Sequence, residues 1–485
     1  MMKTHLLMDR RMIQPQGICN AVLRVMPLCK DRKHGVLLEE EFFSDPPKRW
    51  EVRYDNGYPN IIYDPEQEVY HCYYTLFYHD PDSAAAPKAV RPSRRYEPSA
   101  GRRVGLAYAR SRDGIHWEKP ALGKVLFEGS RDNNLLFLSA HGTGVMLDAW
   151  ETDPERRYKL VTKMDFPDGR QGEMAVNFSP DGVHWGEMRP WPEHVLQADS
   201  HNFPYYDIYT GTYRMLTRCW RDGVRVVVSC ESKDFLHWSA PKEVLRGKGF
   251  GHQVYAMPVF LCRGLYLGLA AVFREGDRED PDFDTIDCQL YYAVTPDVFD
   301  VVSETGEPFI PRGEGVYPAG DFDCGCIFAS PPVEVGSRLY FYYMGGNGRH
   351  TGYRETSLSR GWIEKDRFAC YAQRNPDQEG ILSSAQLTAE GEDLFLLADT
   401  SDGGWIRVCL REKWNGPDLE GFSEEDCRLE ETEKGTYRLH FARPLASLAG
   451  CRFCMVLRFS RARLYAIAGN VEKDGTRFWD GVQQL

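Results

Sequence analysis

Ser111-Arg-Asp-Gly-Ile-His-Trp117 returns 68 residues later as Ser179-Pro-Asp-Gly-Val-His-Trp185, and 53 residues after that, loosened, as Ser232-Lys-Asp-Phe-Leu-His-Trp238. A degraded fourth copy without the tryptophan, Thr295-Pro-Asp-Val-Phe-Asp-Val301, follows after a further 63 residues. Asp-Gly is a tight-turn signal, because glycine accepts positive φ. The tryptophan then falls where a large ring can pack between sheets. Alternating apolar runs precede each copy, at Val104–Ala109, Met174–Phe178, Val224–Cys230 and Cys288–Ala293. The interval suits one four-stranded propeller unit with its loops and is too long for most solenoid repeats.

Working outward, further strand-like runs surround each copy, and a fifth unit without the motif follows over Cys326–Val335, Arg338–Met344 and Tyr353–Ile363. Helical periodicity is nearly absent. The sequence therefore predicts an all-β chain: a five-bladed β-propeller over residues 50–372 and a small C-terminal β-sandwich over 373–485. Residues 1–49 are expected to be an extension packing on one or the other. The sandwich follows from short strands separated by Gly/Asp-rich turns, such as Trp405–Leu410 and Arg452–Phe459.

The 485 residues carry a formal net charge of −12, which disfavours a nucleic-acid partner. No run of about 18 apolar residues suggests a membrane helix. The start, MMKTHLLMDRRMIQPQG, has neither the apolar stretch nor the small-residue site of a signal peptide, so a cytoplasmic location is expected. The 14 cysteines lack framework spacing and read as small core hydrophobes. Cys324-Gly-Cys326 lacks the second pair that a zinc site needs.

In a propeller, the inner strand of each blade starts at the face to which the loop between strands two and three returns. Two loop sets then line one pocket. The first holds Asp55, His141, Asp199-Ser-His201-Asn202, His252 and Asp321-Phe-Asp323; the second holds Glu173, Arg218, Arg221-Asp222, Arg274-Glu275-Gly-Asp277 and Asn347-Gly-Arg349-His350. Polar residues concentrate in both sets between apolar strands. The His-Trp of each repeat is read as structural, since it recurs in blade after blade and an active site does not.

The order of elements resembles the five-bladed glycoside hydrolases of families 32 and 43 and their uncharacterised relatives. The resemblance is carried by Arg53-Tyr-Asp-Asn-Gly-Tyr-Pro-Asn60, Ser111–Trp117, Asp199-Ser-His-Asn202, Gly264-Leu-Tyr-Leu-Gly268 and Phe322-Asp-Cys-Gly-Cys-Ile327, and in the tail by Arg463-Leu-Tyr-Ala466. It implies cleavage of a glycosidic bond in a small carbohydrate by paired carboxylates. Asp55 matches the blade-one acid and is expected to be nucleophile or base. Asp199 is expected to position a hydroxyl or stabilise the transition state. Glu275 is expected to be a partly desolvated acid of raised pKa; Glu173 is its competitor and Asp323 a reserve. His141, His201, Asn202, Arg218, Arg221, Arg349 and His350 would bind the sugar.

No cofactor is required on this reading, although the resemblance is compatible with a structural calcium in the central channel. Homo-oligomerisation is left open. The fructoside signatures Asn-Asp-Pro-Asn-Gly, Arg-Asp-Pro and Glu-Cys are absent. A glycoside phosphorylase, with Arg221, Arg349 and His350 on the phosphate, is an alternative. So is a non-catalytic carbohydrate-binding propeller.

Overall fold

A computed structural model describes residues 3–165, 172–191, 198–303 and 305–474 of the chain. Its regular structure is nearly all strand, as expected; the α-helix among the described residues, Pro81–Ala84, has 4 residues. The chain divides into two compact units, one within Pro27–Val301 and Pro308–Ile363, the other within Met1–Met26, Val302–Glu307 and Glu364–Leu485.

The first unit contains separate sheets of 5, 4 and 4 strands and one of 11. The largest is two runs joined at a single parallel pair, Ile286 with Cys326. Five groups of strands therefore follow one another. Their leading strands are Asn60–Asp64, Ala140–Leu147, Phe203–Asp207, Gln253–Ala256 and Cys326–Ala329. The second strands are Val69–His79, Tyr158–Met164, Thr212–Arg221, Leu265–Phe273 and Arg338–Gly346. Leu265–Phe273 is buried along its whole length, which is why it reads as a continuous apolar run and not as an alternating one.

Antiparallel pairing brings the start of the leading strand beside the end of the second strand in three groups, where Ala140 faces Met164, Gln253 faces Phe273 and Cys326 faces Gly346; in the other two the second strand runs on past the pairing, with Asn60 facing Tyr73 and Phe203 facing Leu216. The two loop sets do share an end of their sheets. Hydrogen bonds then link the groups in order. Asn60 Oδ1 accepts from Val145 N–H (3.1 Å), Asn202 N–H donates to Gly142 (2.8 Å), Ser200 Oγ donates to the Tyr255 carbonyl (2.7 Å), and Ile61 N–H donates to Ser330 Oγ (3.0 Å). The last of these joins the fifth group to the first.

The recurring turn is a staple between neighbouring groups. In all three full copies the Ser hydroxyl accepts the N–H three residues on at 2.9 Å. The Asp carboxylate takes the next two N–H groups and the His Nδ1, with His116, His184 and His237 at 2.7, 2.6 and 2.7 Å. The turn then binds the preceding group: Tyr342 Oη donates to Gly114 O, Tyr73 Oη to Gly182 O, and Arg156 to Asp234 O, at 2.9, 2.9 and 2.7 Å. The His-Trp pair thus belongs to the fold.

Gly182 sits at φ +80°, and an added Cβ would lie 2.3 Å from Tyr73 Oη. Gly182→Ala is expected to destabilise the chain by about 2 kcal/mol, from strain at positive φ and the displaced tyrosine. Urea unfolding measures it, and an unchanged midpoint would refute the stapling role.

The N-terminal segment supplies strands to both units. Cys29–Lys30 and Leu38–Glu39 pair with Thr356–Glu364 as the outer strands of the fifth group. Lys3–Leu6, Ile13–Cys19 and Ala21–Val25 lie in the sheet of the second unit. That 9-stranded sheet is built along two long strands, Leu387–Arg411 and Arg452–Lys473. Leu387, Leu396, Val408, Leu457 and Ile467 form part of its core.

Candidate active site

The pocket-facing loops gather around Tyr255, near the start of the fourth group's leading strand. Its ring lies 4.9 Å from His350 and 4.9 Å below the Arg218 guanidinium, with Arg225 at 5.3 Å. Phe273 and Phe328 pack edge-on against the same ring, and Tyr58 packs edge-on against Phe328. An aromatic floor therefore carries the charged groups.

Asp55 stands in the turn ahead of Asn60–Asp64 at φ +55°, a conformation that Asp and Asn tolerate better than most residues. Its Oδ1 accepts from Arg354 at 2.8 Å and from Arg53 at 3.2 Å. Thr356 Oγ1 donates to its carbonyl at 2.8 Å. Burial by itself would raise the carboxyl; the guanidinium groups of Arg354 and Arg53 outweigh it and hold it well below the usual carboxylate range. Asp55 is therefore a permanent anion at neutral pH, able to attack or to accept a proton but not to donate one. His350 is pushed well below the ordinary histidine value by burial and by Arg354, so it is neutral.

Asp199 pairs with Arg218, and its side chain remains 45% exposed. Burial raises its carboxyl, but Arg218 and His141 carry the net shift downward. Glu275 accepts from Gln253 (2.8 Å) and Arg225 (2.9 Å). Glu275 does not have the raised pKa expected of it: burial acts in that direction, yet these two partners pull the carboxyl below its ordinary value.

His141 Nδ1 meets Asp165 at 2.6 Å on the wall of a cavity of about 230 Å³, together with Phe77 and Arg102. Glu173 opens its strand opposite Met164, half-buried. Arg349 is exposed, its guanidinium 5.7 Å from the Phe283 ring.

Three expected sugar contacts and the reserve carboxylate Asp323 are engaged elsewhere. His201 is buried, bound through Nε2 to Asn60 at 3.0 Å, and burial lowers its pKa to about 3. Asn202 is buried, with its amide nitrogen on the carbonyls of His141, Gly142, Ala198 and Ser200 and its oxygen on Thr217. Both are spent on holding the turn. Arg221 lies on the surface near Glu243 at 3.4 Å. Asp323 is buried, with Lys30 at 2.6 Å and Tyr343 Oη at 2.9 Å on the same oxygen.

The residues missed from sequence are Tyr255, Arg225, Arg354 and Asp284. Arg354 was placed inside a strand beginning at Tyr353, but that strand begins at Thr356. Arg225 is the second residue of Val224–Ser232, just after the turn signal Asp222-Gly223. Asp284 is buried within the acidic stretch 275–287; it accepts from Thr351 N–H and Oγ1, and burial raises its carboxyl.

Four guanidinium atoms here, Arg53 Nη1 and the Nε atoms of Arg218, Arg225 and Arg354, are buried without a hydrogen-bond partner among the described residues. Unpaired donors of buried charged groups are costly unless a ligand meets them. A larger cavity of about 550 Å³ runs toward the far ends of the leading strands, but its lining carboxylates are only Asp148 and Glu334. Asp148 is already taken by Lys159 (2.9 Å) and Tyr213 (2.7 Å). The arrangement suited to chemistry is the one around Asp55. Among the described residues no group of three or more His, Cys, Asp or Glu side chains is placed to hold a metal ion.

No protein-family model matches the chain, and no curated protein does. Among solved structures it is similar to the β-1,2-mannobiose phosphorylase of Listeria innocua in complex with β-1,2-mannobiose, at 13% identity over 70% of this chain and 97% of that one, TM-score 0.46. It is similar to an N-acetylgalactosamine deacetylase from F. plautii in complex with blood group B trisaccharide, at 14% over 71% and 96%, TM-score 0.44. It is also similar to a fructofuranosidase from Schwanniomyces occidentalis in complex with fructosylnystose, at 11% over 93% and 100%, TM-score 0.41. These are likenesses of overall shape and do not extend to residues or to reaction.

Proposed function

We propose that the chain is a glycoside-active enzyme in which Asp55 is the carboxylate that works at the anomeric carbon. On this reading the five strand groups are the blades of one propeller and the second unit is an appended sandwich. The observation that carries it is Asp55 itself, an ionised carboxylate in a left-handed turn over an aromatic floor, with unpaired donors around it.

In hydrolysis, Asp55 either attacks the anomeric carbon, forming a glycosyl ester that water then hydrolyses, or takes a proton from the water that attacks, while a second carboxyl protonates the leaving oxygen as the glycosidic C–O bond breaks. Asp199 suits the second role. Its low pKa depends on Arg218, so a substrate that draws Arg218 away lets the Asp199 pKa rise toward that of a proton donor.

The unpaired guanidinium atoms favour a second reading, phosphorolysis. A phosphate oxygen then forms the bond to the anomeric carbon as the glycosidic C–O bond breaks, and the leaving oxygen takes its proton from the incoming phosphate monoanion. Arg218, Arg225 and Arg354 supply the donors. They replace the surface residue Arg221 in that role.

The test is a panel of arabino-, fructo-, galacto- and mannosides run with and without inorganic phosphate. Free sugar in both arms supports hydrolysis; a sugar phosphate formed only with phosphate supports phosphorolysis. In the second case Arg218→Met is expected to raise KM for phosphate by about tenfold, the weight of one charge-assisted bond. No turnover of any glycoside in either arm would count against an enzyme and for a binding protein.

A further inference from the structure

Asp55 occupies a strained turn, so something must hold it there. The carbonyl of Tyr54 accepts Gly57 N–H at 2.9 Å and that of Asp55 accepts Thr356 Oγ1. The N–H of Tyr54 points the other way, to Glu40 Oε1 at 2.8 Å. The same oxygen lies 3.4 Å from the N–H of Thr356. One buried carboxyl therefore ties together the turn that carries Asp55 and the strand start that closes over it.

Glu40 lies 14 residues before Tyr54 and 316 before Thr356. It follows Leu38–Glu39, which is zipped to Leu358 and Ser357. Tyr54 Oη anchors the same segment by donating to the Glu39 carbonyl at 2.9 Å. The contact is thus built into the pairing of an outer strand and is not the chance reach of a flexible side chain.

We propose that Glu40 is a positioning residue for Asp55: its buried carboxyl, delivered by the N-terminal segment, sets the Arg53–Asp55 turn. This rests on the reading of Asp55 as the reacting carboxylate.

The charged groups facing Glu40 are Arg91 on the turn Arg91–Ser93, Arg53 beside Asp55, and Glu355 ahead of the fifth group's third strand. Glu355 is itself held by Arg91 at 2.8 Å and by Asn347 at 2.8 Å. Burial pushes Glu40 up to about 7; the Tyr54 N–H, Arg91 and Arg53 offset it only in part. Its proton therefore leaves near neutrality. Ionised Glu40 places a negative charge within electrostatic reach of Arg53, one of the two guanidinium groups on Asp55, and so of the turn itself. Asp55 becomes the stronger base, so turnover rises as pH passes upward through this range.

Hydrogen–deuterium exchange of the segment containing Tyr54 provides a readout that needs no substrate. Glu40→Ala is expected to speed its exchange at least tenfold, while Glu40→Gln, which keeps an acceptor of the same shape, stays within threefold of the parent. On whichever glycoside of the panel is turned over, Glu40→Ala lowers kcat with KM little changed. Glu40→Gln removes the rise of kcat/KM near pH 7.

Exchange in Glu40→Ala that matches the parent overturns the proposal, as does a Glu40→Gln pH profile that superimposes on the parent's. Failure of the Asp55 reading looks different: Asp55→Asn would keep its turnover while the exchange results held.

Discussion

Asp55→Asn is expected to cut turnover by about 10³-fold or more while the chain stays folded, on whichever glycoside the parent enzyme cleaves. Asparagine is chosen because it tolerates the left-handed conformation at φ +55°, as aspartate does. Alanine there would confound loss of chemistry with loss of the turn. The amide can still accept from Arg354 and Arg53 but carries no charge. It can neither attack an anomeric carbon effectively nor take a proton from water. Far-ultraviolet circular dichroism and a thermal midpoint would establish folding, and steady-state kinetics would give the loss. Turnover within tenfold of the parent, in a folded protein, would remove Asp55 from the reaction. A non-catalytic binder would instead keep its affinity for the sugar after the change.

The second large effect is on stability. Arg354→Met is expected to destabilise the chain by about 3–5 kcal/mol, the range for breaking a buried ion pair by removing one partner. Arg354 is about 1% exposed and bonds to Asp55 at 2.8 Å and to the Asn56 side-chain oxygen at 2.7 Å. Without it, Asp55 keeps Arg53 as its remaining guanidinium partner, and its carboxyl moves up toward the ordinary range.

The sign of the pH dependence follows. A carboxyl whose pKa is lower folded than unfolded contributes stability that is fully present above the unfolded value, about 4. That contribution is lost as pH falls toward the folded value. The parent should therefore lose stability below pH of about 4 more steeply than Arg354→Met does. Urea unfolding at pH 7 and at pH 3 measures both effects. The double variant Arg354→Met/Asp55→Asn isolates the pair from the rest of the turn. An Arg354→Met midpoint equal to the parent's at pH 7 would mean that the pair does not hold the pocket together.

Several features of the site were legible because they are local. The turn at Asp55 announces itself in Asp55-Asn-Gly, Asp199 lies in a polar cluster just ahead of a strand, and Glu275 follows the apolar run Leu265–Phe273. Other features depend on partners far away in the chain. Asp323 looked like a pocket carboxylate until Lys30, 293 residues away, was seen to occupy it. His201 and Asn202 look like ligands for sugar, but the Asn60 side-chain oxygen takes the first and the carbonyls of His141 and Gly142 take the second. Glu275 was expected to hold a proton because an apolar strand precedes it. Arg225 and Gln253 reverse that, and neither is a sequence neighbour.

What the sequence determined by itself was therefore the repeating turn, the strand class and the end of the sheets where polar loops collect. These rest on backbone conformation and apolar periodicity, which act over a few residues. The tertiary structure decided which carboxylates are ionised and by which arginines, that Tyr255 is the floor on which they meet, and that the N-terminal segment reaches the turn through Glu40. Electrostatic pairing and burial are set by what packs against a group in three dimensions. A titratable residue's role was invisible until its partners, often hundreds of residues away, were in place.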